Sequence, residues 1–314
     1  MGAPVLSRKD DAGDRLYVWG NPPEGFYSVT TIINGGIPKY LVPWAAKSVF
    51  ELVHADLTAR GPHSRATAVI RRWARAGYAE VQARQEAGEL KSIKLDKLTD
   101  AELAGRWVKG TPDRIRDAAA ELGIEVHDEA ERLVLQLARD TGLAWTEGRP
   151  LPAWPEHLEG HMGSFVQFLD DWRPEYVATE ATVFNRTQAY AGTLDAVMRL
   201  RIGGELLTVL VDYKSGNHVY PEVGLQLAAY RNAEFVGMPD GVTEAPLPAV
   251  NAGAVLHITP KGYRLRLVRI DDDIYRAFLH AREVFRWTKV LAGTVLQQEL
   301  APEPAPEPEA VEVA

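Results

Sequence analysis

Apolar positions recur at helical spacing through most of the first half of the chain and on alternate residues through much of the second half. The exception at the start is 15–33 (RLYVWGNPPEGFYSVTTII), which reads as two short strands around an Asn-Pro-Pro-Glu-Gly turn. From about 40 to 140 the pattern is helical. Trp44, Lys47 and Phe50 begin one helix, and Ala68 to Glu89 continue in another. Residues 91–110 form a Lys-rich connector with a short helix. Pro112 opens a long helix with Thr111 as its cap, and Ile115, Ala119, Leu122, Val126, Ala130, Leu133 and Leu137 make its apolar stripe. The Pro- and Gly-rich stretch 145–160 predicts a loop, with a shorter helix over 161–172. From 175 the period changes to two: strands Tyr176–Phe184, Tyr190–Ile202 and Leu206–Tyr213, joined by an Asn-Arg-Thr-Gln turn and a Gly203-Gly204 hairpin. A helix from Pro221 to about Phe235, a hairpin of Ala252–Ile258 with Tyr263–Ile270, and a helix from Asp272 to about Ala292 complete the chain. Three aspartates sit at the positive end of that last helix.

This order of elements predicts one α/β fold with a helical N-terminal half. Residues 1–110 pack on a core over 111–300. The segment 301–314 (APEPAPEPEAVEVA) is a Pro/Glu tail expected to be disordered. No internal repeat is present.

Composition narrows the chemistry. The chain of 314 residues has no cysteine, which excludes disulfides, a thiolate nucleophile and cysteine-ligated zinc or iron–sulfur centres. Any metal must sit on oxygen and imidazole ligands. The net charge of -8 excludes less, because four glutamates lie in the tail with no basic residue beside them. A mildly acidic body still accommodates nucleic acid in a local basic cleft. The start turns charged before a signal core could form, and no stretch approaches the ~20 apolar residues of a membrane span. A cytoplasmic protein is the expectation.

The informative stretch is 180–230. Asp195 lies in Gly-Thr-Leu-Asp on one strand, and Asp212 and Lys214 lie in Val-Asp-Tyr-Lys-Ser-Gly at the end of the next. Residues two apart on a strand share a face, so Asp212 and Lys214 point one way while Tyr213 points the other and leaves its carbonyl available. If the strands are neighbours, Asp195 meets Asp212 across the ladder. Two carboxylates and a carbonyl form a hard oxygen site suited to Mg²⁺ or Mn²⁺. Lys214 adds positive charge, and it can orient an attacking water or help deprotonate it. The next helix carries Gln226 and Tyr230 one turn apart on one face.

The set Gly-Ile-Glu-Val-His127, Glu180, Gly192-Thr-Leu-Asp195, Asp212-Tyr-Lys214 and Gln226-Leu-Ala-Ala-Tyr230 resembles the PD-(D/E)XK nuclease superfamily. It is most similar to the RecB-like exonuclease branch, including phage-encoded exonucleases related to the CRISPR-associated ones. The resemblance spans about 127–230. It implies a restriction-endonuclease-like core, a mixed central sheet flanked by helices. It further implies His127, Asp195 and Asp212 as metal ligands together with the Tyr213 carbonyl, Glu180 near a second metal, Lys214 as the catalytic lysine, and Gln226 and Tyr230 as braces beside the DNA. The cofactor implied is Mg²⁺ or Mn²⁺. The substrate implied is linear DNA with ends, in phage recombination, repair or replication in the host cytoplasm, alongside a recombinase or a single-strand-binding protein. Iron–sulfur members of the branch hold a cluster on four cysteines; this chain has none, so no cluster is expected.

Other residues have competing readings. His157 and His161 are four apart, but their His-Leu-Glu-Gly-His setting lacks the glutamate beside a histidine that zinc-protease motifs require, and Pro155 and Gly160 argue against a helix there. His218, just past Lys214, is a candidate phosphate contact. Arg71, Arg72, Trp73 and Arg75, near Arg60, Arg65 and Arg84, combine charge with an aromatic as single-strand-binding surfaces do. Lys91, Lys94 and Lys97 are a second basic candidate. The primary expectation is a metal-dependent exonuclease. The alternatives are a non-cleaving DNA-binding or recombination-accessory protein on a nuclease fold, and a structure- or sequence-specific endonuclease.

Overall fold

The computed structural model describes residues 6–10, 13–37, 41–58, 66–88, 90, 94–141, 145–146 and 151–300. The chain begins with β1 (Ser7–Lys9), β2 (Arg15–Trp19) and β3 (Glu24–Ser28), followed by α1 (Val29–Gly36). A helical region follows: α2 (Leu41–Thr58), α3 (Ala66–Glu86), α4 (Asp100–Lys109), α5 (Thr111–Thr141) and α6 (Glu156–Trp172). Next come β4 (Glu175–Asn185), β5 (Tyr190–Ile202) and β6 (Glu205–Lys214), then α7 (Val223–Arg231). Two short strands, β7 (Phe235–Gly237) and β8 (Glu244–Ala245), precede the hairpin β9 (Ala252–Thr259) and β10 (Gly262–Val268), and α8 (Asp272–Arg286) ends the core.

Among the described residues all ten strands join one mixed sheet. β5 is its spine. β4 runs antiparallel along one edge of β5. The other edge is shared: β3 pairs in parallel at Tyr190 and Ala191, and β6 pairs antiparallel from Ala196 to Ile202. Residues 192–195 of β5 therefore have no strand along that edge. β6 continues into β9 in parallel and β9 into β10 antiparallel.

Helices cover both faces. On one face α5 and α6 bury Val126, Ala130, Leu133, Phe165 and Phe168 against Ala196, Met198, Val211, Tyr213 and Leu256. On the other face α1, α7 and α8 bury Ile32, Leu227 and Phe278 against Leu194, Val197, Leu210 and Val255. A third, aromatic cluster of Tyr17, Trp19, Phe26, Phe184 and Phe235 closes the end near β7.

Strand alternation in β5 slips at one place. Leu194 faces α7 and α8, yet Ala196, two residues on, faces α5 and α6. Regular alternation would keep both on one side. The slip falls on Asp195. On the neighbouring strand, Ala178 and Ala181 share a face although three apart, and Glu180 between them has a left-handed φ of 46°. A side chain with a Cβ is strained there, at roughly 1–3 kcal/mol.

Several predicted boundaries are corrected. Residues 29–33, expected in a strand, are helical, because Ser28 Oγ accepts the Thr31 amide at 3.0 Å and starts α1. Thr111, expected as the cap of the long helix, is its first residue, and its hydroxyl donates back to the Trp107 carbonyl. The helix expected from 161 begins at Glu156, with Pro155 at its cap. The helix expected to reach Phe235 stops at Arg231, and Phe235 joins β7 to stack on Phe184 at 5.3 Å. The helix expected to end near Ala292 is helical throughout but not uniformly so: α8 passes at Arg286 into a π-turn over Trp287–Leu291, and a short α9 (Ala292–Val295) follows. The tail 301–314 lies outside the described residues.

Glycines test the packing. A Cβ on Gly36 would stand 2.0 Å from the Ala281 carbonyl oxygen where α1 crosses α8, whereas one on Gly105 of α4 meets nothing within 4 Å. Gly36→Ala is expected to lower unfolding free energy by about 1–3 kcal/mol through overpacking. Gly105→Ala should raise it by up to ~1 kcal/mol through helix propensity. Urea titration of the two variants reads both signs.

Candidate metal centre

The break in the sheet is where the predicted site residues meet. The β5–β6 register ends at Ala196 opposite Val211, so Asp195 stands at the level of Asp212. Instead of continuing the ladder, Asp195 turns one carboxylate oxygen onto the backbone: Oδ2 accepts the Tyr213 amide at 2.6 Å. The hydrogen bond holds the carboxylate in the gap between β3 and β6, where residues from both faces of the sheet reach it.

His127 comes from the α5 side. Its neighbour Val126 is fully buried against the sheet, which fixes the helix and leaves His127 at the edge of the packed stripe. Its Nδ1 lies 3.6 Å from Asp195 Oδ1, and its ring meets Tyr213 edge-on at 5.8 Å. Glu180 comes from β4, turned by its left-handed backbone. Ligand atoms of His127, Glu180 and Asp195 all lie within 4.8 Å of one another.

The surroundings of Glu180 disfavour its bare negative charge. Burial, reinforced by Asp195, Glu131 and Asp128, pushes the Glu180 carboxyl up to about 8. Glu131, one helical turn past His127, is also raised, by burial and by Asp128, and its Oε2 is buried without a hydrogen-bond partner. Carboxylates crowded in low dielectric hold protons unless a cation takes their place. One imidazole and several carboxylate oxygens fit a divalent ion of the Mn²⁺ or Mg²⁺ class.

Asp212 and Lys214 point to the α7 side, as alternation predicted, while the Tyr213 ring is buried against α5 and α6 and its hydroxyl meets Tyr176 Oη at 2.9 Å. Asp212 lies outside the tight trio. Its Oδ2 sits 2.6 Å from Lys214 Nζ, with no well-aligned hydrogen bond. Burial pushes Asp212 up to about 6 against the pull of Lys214. For Lys214, burial acts downward, but Asp212 and Asp195 outweigh it and hold the ammonium above the ordinary lysine value. Lys214 is therefore a fixed cation. A charged lysine suits orienting water and stabilising negative charge better than deprotonating water.

Gln226 and Tyr230 of α7 stand beneath this pair. Gln226 Nε2 donates to Tyr230 Oη at 3.4 Å. The ring of Tyr230 covers Gly192, where a Cβ would stand 2.5 Å from its edge. Glycine at 192 is thus what lets α7 close on β5. Burial, with Tyr17, Asp195 and Asp212, keeps the Tyr230 phenol protonated far above its usual range, so it stays a neutral donor.

The remaining candidates separate. His218 is exposed in the loop after Lys214, its ring 6.3 Å from Tyr220. Arg71, Arg72 and Arg75 are exposed on α3, while Trp73 packs against the small core of Ala74, Leu103 and Ala104. Arg60, Arg65 and Lys91 lie outside the described residues. His157 and His161 are one turn apart on α6 after all, since Gly160 permits close approach to Pro260. They do not converge: His157 pairs with Glu125 at 2.5 Å, and His161 is buried, its pKa lowered by desolvation.

No protein-family model matches the chain, and no curated protein matches it. Asp128 and Glu131 are the acidic neighbours that the sequence reading missed. For Glu131, four residues past His127 on one helix, the i,i+4 spacing is the signal that could have found it; Asp128, one residue on, has no such signal.

The proton on Glu180 links pH to stability. Its folded value of about 8 exceeds the ordinary 4.5, so this contribution is complete below 4.5 and fades as pH rises through 8. Metal-free protein should therefore lose thermal stability between about pH 5 and about pH 8.5, and Mn²⁺ should raise Tm more at pH 8 than at pH 6. Glu180→Gln is expected to flatten the decline and shrink the Mn²⁺ shift. Scanning fluorimetry across that range checks it; equal Mn²⁺ shifts at both pH values contradict it.

Proposed function

We propose that this chain is a metal-dependent DNA exonuclease on a PD-(D/E)XK core, in the RecB-like branch, using Mg²⁺ or Mn²⁺ to hydrolyse phosphodiester bonds at the ends of linear DNA in phage recombination, repair or replication. The observation that carries the reading is the convergence of His127, Glu180 and Asp195 at a break in the sheet beside the Asp212–Lys214 pair. These residues come from α5, β4, β5 and β6, yet they meet at one point.

His127, Glu180 and Asp195 would hold the cation, with Asp212 at the same level of the sheet. When bound, such an ion polarises a phosphoryl oxygen and lowers the pKa of its water. The other roles belong to the chain itself. Lys214, kept charged by Asp212 and Asp195, stabilises the negative charge that develops on phosphorus and orients the attacking water. Asp212 fixes the lysine in place at 2.6 Å. Asp195, held by the Tyr213 amide, keeps its remaining oxygen directed at His127. Tyr230 presents a phenol that remains a donor, steadied by Gln226.

Lys214→Ala is expected to lower kcat by at least ~10²–10³-fold, the cost of removing one preorganised charge-stabilising group. Folding and DNA binding should persist. Gel assays with Mn²⁺ on end-labelled linear DNA and on a covalently closed circle test the rest. Loss of label from the linear substrate with an intact circle is the expected result. Cutting of the circle would make the enzyme an endonuclease, and wild-type rates in Lys214→Ala would overturn the mechanism.

A further inference from the structure

Three adjacent strands carry a row of basic side chains outward from Lys214. In the β6–β9 register Lys214 stands opposite His257, and in the β9–β10 register His257 stands opposite Arg264. One step along, Asp212, Val255 and Arg266 form the next row. Residues in register across neighbouring strands share a face, so Lys214, His257, Arg264 and Arg266 lie on one side of the sheet. Helices cover that face near Val268, which packs beside Gly224 of α7, but they leave Arg264 and Arg266 exposed.

The loop after β6 folds over this row. His257 Nε2 hydrogen-bonds the Gly216 carbonyl at 2.6 Å, which makes that ring nitrogen the donor. Asn217 and His218 then form one wall of a shallow cleft whose floor is Val255 and His257 and whose far side is Arg264 and Arg266. Among the described residues no carboxylate lines it. Arg264 and Arg266 form no ion pair among the described residues, whereas Arg269, just past β10, is tied to Asp271 and Asp273. Two guanidinium groups two residues apart on an edge strand, open to solvent and uncompensated, attract anions.

We infer that this cleft is a backbone track for the nucleic acid strand: Arg264 and Arg266, with His218, hold phosphates adjacent to the one at Lys214, over a floor that His257 steadies through the Gly216 carbonyl. The inference rests on the nuclease reading and adds the path by which the strand reaches the site. Arginine positions a phosphate without reading a base, so the track is independent of sequence. It also gives His218 a defined setting and adds three residues that sequence spacing alone could not connect to Lys214.

The test compares wild type with Arg264→Gln/Arg266→Gln, using a fluorescein-labelled linear DNA duplex with a single-stranded overhang. Anisotropy in EDTA measures affinity over a series of NaCl concentrations. Each phosphate contact contributes about one unit to the slope of log Kd against log salt, so the double variant should lose about two. With Mn²⁺ it should show a raised KM at nearly unchanged kcat. Lysine at both positions keeps the charges and should restore most of the slope, while Arg139→Gln, on the distal half of α5, should match wild type. A slope and KM equal to wild type in a variant that melts normally would overturn the track while leaving the nuclease reading intact. A wild-type protein that neither binds nor cuts the DNA would overturn both.

Discussion

The carboxylate of Asp195 accepts the Tyr213 amide at 2.6 Å, at the level where β5 and β6 stop pairing as strands. A buried amide must find a partner, and here a side chain supplies what a strand carbonyl would otherwise give. The substitution has a structural consequence: the sheet opens between β3 and β6, and groups from its two faces meet in the opening. His127 arrives from the α5 side, Lys214 and Tyr230 lie on the α7 side, and Glu180 is turned inward from β4 by a strained backbone. A continuous sheet would keep these groups on opposite sides of a layer of backbone.

The opening also explains the charge distribution. Burial raises the carboxyls of Glu180, Glu131 and Asp212, while the same carboxylate field holds Lys214 charged. Acidic and basic groups are thus kept a few ångströms apart in distinct states: a set that gains from a cation, and a lysine already serving as one. Strain at Glu180 and the unpartnered oxygen of Glu131 are local costs, and the surrounding packing of α5, α6 and α7 is what sustains them.

Much of this was legible in the sequence, for physical reasons. Period-two alternation and a Gly-Gly turn define β5 and β6, and antiparallel neighbours joined by a tight turn fix their own register; Asp195 and Asp212 had to come level. The long stripe from Ile115 to Leu137 defines α5 and puts His127 at its edge. Glu180's role depended on a positive φ, which no residue pattern announces for a glutamate. The start of α6 was obscured because Pro155 and Gly160 look like breakers, although proline is tolerated at a helix entrance and the glycine is needed for contact with Pro260. The row from Lys214 to Arg264 depends on a parallel β6–β9 pairing made across α7, and such long-range register leaves no local trace.

We propose that a divalent cation belongs at the break in the sheet. Crystals grown with Mn²⁺ and measured for anomalous scattering test it most directly. The expected result is a Mn²⁺ peak enclosed by His127, Glu180 and Asp195, beside Asp212, that disappears in Asp195→Asn. Anomalous peaks confined to surface carboxylates, with the trio empty at saturating Mn²⁺, would contradict it.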